Sequence, residues 1–456
     1  MQSFGALTGG FAGQIILPAD PEYNAARRVW NAMVDRRPAL IVRPASTADV
    51  AAAIRYAREQ DLVVAVRGGG HSIPGFSTCD DGIVIDLSHM RGAEVDGRSR
   101  RATVGGGALL AELDEAAQAH GLVCPVGVVS HTGVAGLTLG GGMGRLQRKH
   151  GLTIDNLRAV ELVTADGRVV RASEDEQPEL FWGLRGAGAN FGIVTSFQFG
   201  LHPLDGVITQ GTVVHPLEHA RELGALFREL ADDGPSELMA TFNLALALPA
   251  DEFPSEVAGG PVVMVTVVHS GSPEDAERDL APLRSFGRPV LDSIGPKPYL
   301  DVQHMSDEPM GWGRRFYMKS AFLPGLPDEV VQVAVEHAER MPEGCDGSIS
   351  TWAWGGAIAD VAEDATAFTG RDAAFWIAAE AAWEDPALDE ASRAWTRSFV
   401  ADVTPFAVGG RYVNDVADPG EDIGAIYGDG KQQRLVAVKR EWDPDNVFRL
   451  NLNIRP

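Results

Sequence analysis

Apolar positions in the first 120 residues switch repeatedly between two periods. In "RPASTADVAAAIRYAREQDL" (43–62), Val50, Ile54 and Ala57 recur at helical spacing, and Ser46 with Asp49 three residues on forms a capping box. "LVVAV" (62–66) follows as a short buried strand, "GIVIDLS" (82–88) as a second and "ATVGGG" (102–107) as a third. "LLAELDEAAQAHG" returns to the helical period through Leu109, Leu113 and Ala117, with Gly121 placed to stop it. Residues 30 to 121 therefore read as a small unit of strands and helices. A second unit, about 122–200, holds the hairpin "VELVTADGRVV" and the strand "GIVTSFQF".

Beyond about residue 205 the texture changes. "VVMVTVVHS", "RRFYMKSAFL" and "STWAWGGAIADV" predict longer strands, separated by helices in "PEDAERDLAPLRSF" and "PDEVVQVAVEHAERM". That pattern predicts a sheet covered on one side by helices. From about residue 406 to "REWDPDNVFRLNLNIRP" periodicity is weak. The expectation is an α+β fold with a domain over 1–204 (core about 34–204), a second over 205–405, and a segment 406–456 that returns to the first.

The chain's 456 residues exceed one ordinary core. With 45% hydrophobic and 22% charged residues it reads as a packed globular protein. The net charge of −24 argues against nucleic acid or an anionic membrane as partner, since both demand basic patches. A phosphate-bearing cofactor stays open, because backbone N–H groups can hold it. Cys79, Cys124 and Cys345 form neither a disulfide framework nor a CxxC metal pair. The N-terminus lacks a basic and then apolar leader, and no run of 18 apolar residues occurs, so a cytoplasmic, reduced protein is expected.

Three glycine-dense segments crowd the N-terminal half: "RGGGHS" (67–72), "GVVSHTGVAGLTLGGGMG" (127–144) and "GLRGAGANFGIV" (183–194). Glycine turns expose backbone amides as anion nests, and three together point to a long ligand with several polar groups; tight turns alone are the plainer alternative. No GxxxxGK[ST] occurs, which excludes a P-loop. "GAGANFG" has an extra residue and precedes a strand instead of opening a helix, so it fails as a Rossmann fingerprint.

In order, "RGGGHS", "VIDLS", "GVAGLTLGGGMGRLQRKHGLTIDN", "LVTADGRVV", "LFWGLRGAGANFGIV" and "WDPDNVFRLNLNI" resemble the berberine bridge enzyme-like flavoproteins of the vanillyl-alcohol oxidase superfamily, with their PCMH-type FAD-binding domain, the bacterial members above all. The resemblance covers roughly residues 25–200 and 350–456. It implies FAD wrapped by the glycine loops and bonded covalently through its 8α-methyl to the histidine that follows the first loop, here His71. A neutral imidazole can attack at neutral pH, where a lysine would be protonated.

By the same resemblance the first loop contributes Arg67, Gly68, Gly69, Gly70 and Ser72. The second contributes Val129, Ser130, Thr132, Gly133 and Gly136, then Leu139, Gly140, Gly141, Gly142 and Gly144. Asp155 and Asn156 follow, then Gly188, Gly192, Ile193 and Val194, and Asn453 in the tail. No metal is implied. Many relatives add a cysteine bond to the flavin. Cys124, sixteen residues before Gly140, is out of register, and the matching position is nearer Val129, so a second bond is not expected. Cys79 reads as buried and inert, Cys345 as a loop residue.

"RYVND" resembles the family's Tyr-x-Asn motif and implies Tyr412 and Asn414 beside the ring, with Tyr412 as a base; an ordinary half-buried strand tyrosine is the alternative. Asp415 stands where many relatives have a second tyrosine and is a candidate base in its place. Lys319 matches a lysine that bacterial relatives direct into the pocket, and a solvated strand lysine is the alternative. Trp352 and Trp354 suit either an aromatic substrate or plain core packing, and His131 reads as structural. The implied reaction is hydride transfer from a small-molecule C–H next to OH or NH to flavin, reoxidised by molecular oxygen to hydrogen peroxide. A dehydrogenase of the same fold, a noncovalent NADPH-dependent reductase and a flavin-storing protein are the alternatives. Substrate identity (alcohol, amine, sugar or polyketide) and oligomeric state stay open.

Overall fold

The computed structural model describes residues 10–248, 253–255 and 257–456. The leader expectation falls mostly on residues 1–9, outside that range. The fold is α+β. Strands β1 (Gln14–Ile16), β2 (Leu40–Arg43), β3 (Val64–Arg67) and β4 (Ile83–Asp86) form a small sheet in the order β1-β2-β4-β3. β2 and β3 run parallel to β4, and β1 is antiparallel to β2. The helix Thr47–Glu59 connects β2 to β3; Ser46 Oγ accepts the Asp49 N–H, closing the expected cap.

β5 (Ala93–Asp96), β6 (Arg101–Gly105), β8 (Leu157–Val163), β9 (Val169–Ser173) and β10 (Ile193–Gly200) form an antiparallel sheet in the order β5-β6-β10-β8-β9. β7 (Leu122–Val123) and β11 (His202–Pro203) make a short separate pair.

The large sheet holds β12 (Val207–Pro216), β13 (Leu238–Leu246), β14 (Pro261–His269), β15 (Leu291–Asp292), β16 (Gly295–Pro298), β17 (Arg315–Leu323), β18 (Asp346–Ala353) and β19 (Phe375–Trp383). Its order is β15-β12-β14-β13-β18-β19-β17, with β16 also on β12. Helices Ala220–Asp232, Asp328–Ala338 and Asp389–Val403 cover one face, burying Phe227, Val330 and Phe399 against Phe242, Ile349 and Ile377. Because strand side chains alternate, the other face carries Asn243, Ser350, Trp352, Trp376, Glu380, Met318 and Ser320, in register across four strands. That face looks toward the glycine loops and sets one wall of the site.

The tail departs from the weak periodicity read in its sequence: Ile423–Trp442 is a helix, kinked at Gly428, whose φ is +73°. The kink and three glycines broke the apolar repeat that would have marked it. The tail then packs on the N-terminal half. Lys439 Nζ, fully buried, donates to Asn190 O at 2.8 Å and to the Asp443 carboxylate at 2.7 Å, and Asn451 Nδ2 donates to Ala189 O at 3.0 Å. Among the described residues no helix is long and apolar enough to cross a membrane.

Candidate cofactor and active site

β3 runs directly into Gly68, Gly69 and Gly70, and the loop meets the second glycine segment backbone to backbone. A Cβ on Gly69 would lie 2.1 Å from Gly133 N, and one on Gly133 would lie 2.2 Å from Gly69 N. Gly70 has φ +76°, a conformation natural to glycine. His71 emerges from this turn with its ring stacked on Trp30 at 4.9 Å and 17°. His71 Nε2 lies 2.7 Å from His131 Nδ1, and His131 itself is off the cavity lining. Burial, with the His131 ring beside it, pushes His71 down to about 3, which fixes a neutral imidazole at neutral pH.

These loops line a cavity of about 350 Å³. Val64, Val66 and Phe448 bound it on the side of the small sheet; Phe316, Met318 and Glu380 bound it on the side of the large one. Ser72, Thr132, Gly136, Gly188 and Asn414 lie along it. Added Cβ atoms on Gly136 or Gly188 would meet no atom within 4 Å, so both glycines leave free space. Ser77 Oγ and Asn451 Oδ1, on residues of the lining, are buried without a partner among the described residues. An elongated cradle of glycine backbone with unpartnered polar atoms suits a long, polar-bearing cofactor such as FAD.

Glu380 was missed in the sequence. Among the described residues it is the only carboxyl on the cavity lining, near the centre of the apolar strand "FWIAAEAAW". Burial pushes it up to about 7, partly offset by a hydrogen bond from Ser350. A lone acid inside an otherwise buried alanine-rich strand was the available signal, since such a charge is costly unless it is used. Asp415 is off the lining but packs on the same face of the sheet as Glu380; its Oδ2 accepts Trp376 Nε1–H at 2.8 Å. Burial pushes Asp415 up to about 8, opposed by Ser320 and Trp376 and reinforced by Glu380.

Tyr412 and Asn414 meet, but the phenol is not on the cavity lining. Tyr412 Oη accepts the N–H groups of Gly142 and Met143, each at 3.1 Å, and Asn414 Nδ2–H at 3.0 Å. Burial pushes the phenol up to about 12, so it keeps its proton at neutral pH. Lys319 requires correction. Strand alternation puts Phe316 and Met318 on the cavity side and Lys319 on the opposite face, paired with Glu421 and, at 3.0 Å, with Asp418.

Other residues named from sequence do structural work. Added Cβ atoms on Gly140, Gly141, Gly142 and Gly144 would strike Asn414, Phe368, Thr153 and Val126 O, so these glycines pack protein on protein. Leu139 O accepts the Gly188 N–H at 2.9 Å, fixing one cavity loop. Asp155 grips the fully buried Arg371 at 2.6 and 3.1 Å; Asn156 bonds His150 O, Leu152 O and His202. Gly192, Ile193 and Val194 enter β10, away from the lining, and Val129 is buried beside the loop. Arg67 donates to Ala26 O and Ser77 O, bracing the first loop, and Asn453 Oδ1 is buried without a partner among the described residues. Cys124 is wholly buried and off the lining, and burial drives its thiol far up. Cys79 is likewise buried and pushed up to about 11, and Cys345 is buried in its loop. Trp354 is core; Trp352 stands edge-on to Trp376 at 6.1 Å.

Residues 38–173 match the model of an FAD binding domain and residues 412–455 the berberine and berberine-like model. The (R)-6-hydroxynicotine oxidase of Paenarthrobacter nicotinovorans is 34% identical over 467 residues, covering 97% of both chains. The crystal structure of 6-hydroxy-D-nicotine oxidase from Arthrobacter nicotinovorans superposes with a TM-score of 0.87 at 31% identity over 98% of each chain. The glucooligosaccharide oxidase of Acremonium strictum, described as carrying a 6-S-cysteinyl, 8α-N1-histidyl FAD, gives 0.86 at 25% identity over 97% of each. With the cradle and these relatives agreeing, the chain belongs to the berberine bridge enzyme-like family and is an FAD-linked oxidoreductase.

Proposed function

We propose that the protein is an oxidase that removes a hydride from a carbon bearing OH or NH in a small, largely apolar molecule, with FAD tethered through His71 Nδ1. Bound FAD supplies the hydride acceptor, and dioxygen takes the electrons onward to give hydrogen peroxide. The observation that carries this reading is a cavity lined, among the described residues, by a neutral histidine and one other ionisable side chain, Glu380. Glu380, with its pKa near neutrality, accepts the proton from the substrate OH or NH. Asp415 is a second buried acid on the same face, held by Trp376, and Asn414 on the lining bonds Leu137 O and Tyr412. Tyr412 holds the glycine turn and keeps its own proton.

Phe316, Met318 and Met310 beside Glu380 favour an apolar amine or alcohol over a sugar or a carboxylate, and the similarity to the hydroxynicotine oxidases supports an amine first. The position of Cys124 off the lining supports a single tether. The test is acid precipitation of the purified protein with in-gel flavin fluorescence, beside His71→Ala, followed by oxygen uptake on amines and alcohols. Yellow colour kept by the wild type and lost from His71→Ala, with peroxide formed on turnover, is the expected result; flavin released from the wild type overturns the tether.

A further inference from the structure

The neighbours of the His71 ring all depend on one segment that arrives from the other half of the molecule. Met305–Gly313, between the helix Tyr299–His304 and β17, crosses the glycine loops. The Asp307 carboxylate accepts Ser130 N–H at 2.8 Å, the Ser130 hydroxyl, and His304 Nδ1 at 2.8 Å. The Asp307 carbonyl lies 3.5 Å from His131 Nε2. Met310 O accepts Trp30 Nε1–H at 2.7 Å, which fixes the indole that stacks on His71, and Gly313 N–H donates to Trp30 O at 3.2 Å. Trp312 stands edge-on to His71 at 6.1 Å.

One proton arrangement satisfies both histidine contacts. A backbone carbonyl can only accept, so in that arrangement His131 carries its proton on Nε2, toward Asp307 O, and presents Nδ1 as an acceptor. His71 must then carry its proton on Nε2 to make the 2.7 Å contact, leaving a lone pair on Nδ1. No hydrogen bond occupies His71 Nδ1 among the described residues, and it is absent from the buried unpartnered atoms.

We infer that the segment Met305–Gly313, anchored by Asp307 on Ser130, is the positioning element for flavin attachment: it sets the proton arrangement of His131 and His71, so the bond forms only when the two halves of the chain are docked. The inference rests on the His71 tether proposed above. In the step itself a bond forms from His71 Nδ1 to the flavin 8α carbon. One C–H of that methyl and the imidazole N–H break, the latter proton passing first to His131. Both hydrogens and the two electrons end on the flavin ring, which is thereby reduced, and dioxygen reoxidises it to give hydrogen peroxide.

The experiment measures acid-stable flavin against total bound flavin over time, after FAD is added to full-length protein prepared flavin-poor. Asp307→Ala is expected to bind FAD yet attach it about a hundredfold more slowly, the scale of a displaced reacting group. Ser130→Ala, which removes only the hydroxyl anchor, should be slowed less, and Asp307→Asn, which keeps an acceptor, should return close to the wild-type rate. Loss of FAD binding alone would leave the ratio of the two flavin pools unmoved. Attachment at the wild-type rate in both Asp307→Ala and Ser130→Ala overturns the inference, as does an Asp307→Asn as slow as Asp307→Ala. Acid-labile flavin in the wild type overturns the tether itself, a result distinct from either.

Discussion

Gly69 and Gly133, 64 positions apart in sequence, touch so closely that a methyl on either would fall inside the other's backbone. The contact locks the loop after β3 to the loop before the helix Val134–Leu139, and the cavity wall is the pair together. Gly69→Ala forces backbone apart, which costs about 1–3 kcal/mol as overpacking does, and it deforms the cradle. Gly136→Ala is the matched control. Its Cβ meets no protein atom within 4 Å and the position is helical, so the fold should hold while FAD binding weakens. Thermal unfolding beside flavin content per chain separates the two.

Glu380→Gln removes the proton acceptor and keeps the shape of the wall. Flavin bleaching by substrate in the absence of oxygen should slow by about 10²–10⁴-fold. The carboxylate is the active form and its pKa is about 7, so the wild-type rate should fall as pH drops below 7 and level off above it. The variant should lose that limb. A wild-type profile flat from pH 5 to 9 would remove Glu380 from this role.

Asp415 gives a stability prediction with a definite sign. Burial raises its folded-state pKa to about 8, whereas an unfolded chain titrates it near its ordinary value of about 4. The folded protein therefore retains a proton that the unfolded chain releases. Its contribution is intact below about pH 4 and is lost at about 1.4 kcal/mol per pH unit as pH rises toward 8. Asp415→Asn still accepts the Trp376 N–H and cannot ionise. The variant should gain stability over the wild type progressively between pH 5 and 8, by a few kcal/mol at the upper end. Urea unfolding at several pH values measures it.

Asp155 lies within a stretch that resembles the family's cofactor loop, and its partner tells otherwise. Arg371 is fully buried and Asp155 supplies its counter-charge. Asp155→Ala should cost about 3–5 kcal/mol, because it strands a buried guanidinium. Flavin content per folded chain, measured on the same samples, should stay unchanged.

How far the site was legible follows from the kind of signal each part leaves. Gly68–Gly70 and His71, which lie on the cavity lining, stood out because a costly glycine run before a histidine has few structural reasons to exist. The eight-stranded sheet was readable in outline from period-2 runs such as "RRFYMKSAFL". Lys319 was misplaced because a motif match carries residue type without the strand's phase; one position along β17 turns a side chain from cavity to helix face. Gly140–Gly144 looked like cofactor loop because close approach to protein and to ligand demand the same residue. Glu380 left a signal, a lone acid in an alanine-rich strand, that does not say which cavity it faces, and the Asp307 clamp left none. Each acts on partners from distant segments, and only the folded register brings them to the cavity.

Tyr412 distinguishes holding from proton transfer. Its hydroxyl oxygen accepts three donors, Gly142 N–H, Met143 N–H and Asn414 Nδ2–H, inside a packed wall of Phe368 and the glycine turn. Tyr412→Phe removes that oxygen without changing the ring, stranding buried donors at about 1–3 kcal/mol apiece, so a loss of stability near 3 kcal/mol is expected after relaxation. The turn then loosens beside Asn414, and the bleaching rate should fall modestly. What should not move is the pH at which that rate rises, because the titrating group is Glu380. A profile that keeps its midpoint near 7 in Tyr412→Phe assigns the phenol to the scaffold. Loss of the pH-dependent limb in Tyr412→Phe, with the limb intact in Glu380→Gln, would make the tyrosine the proton acceptor and reduce Glu380 to a wall residue.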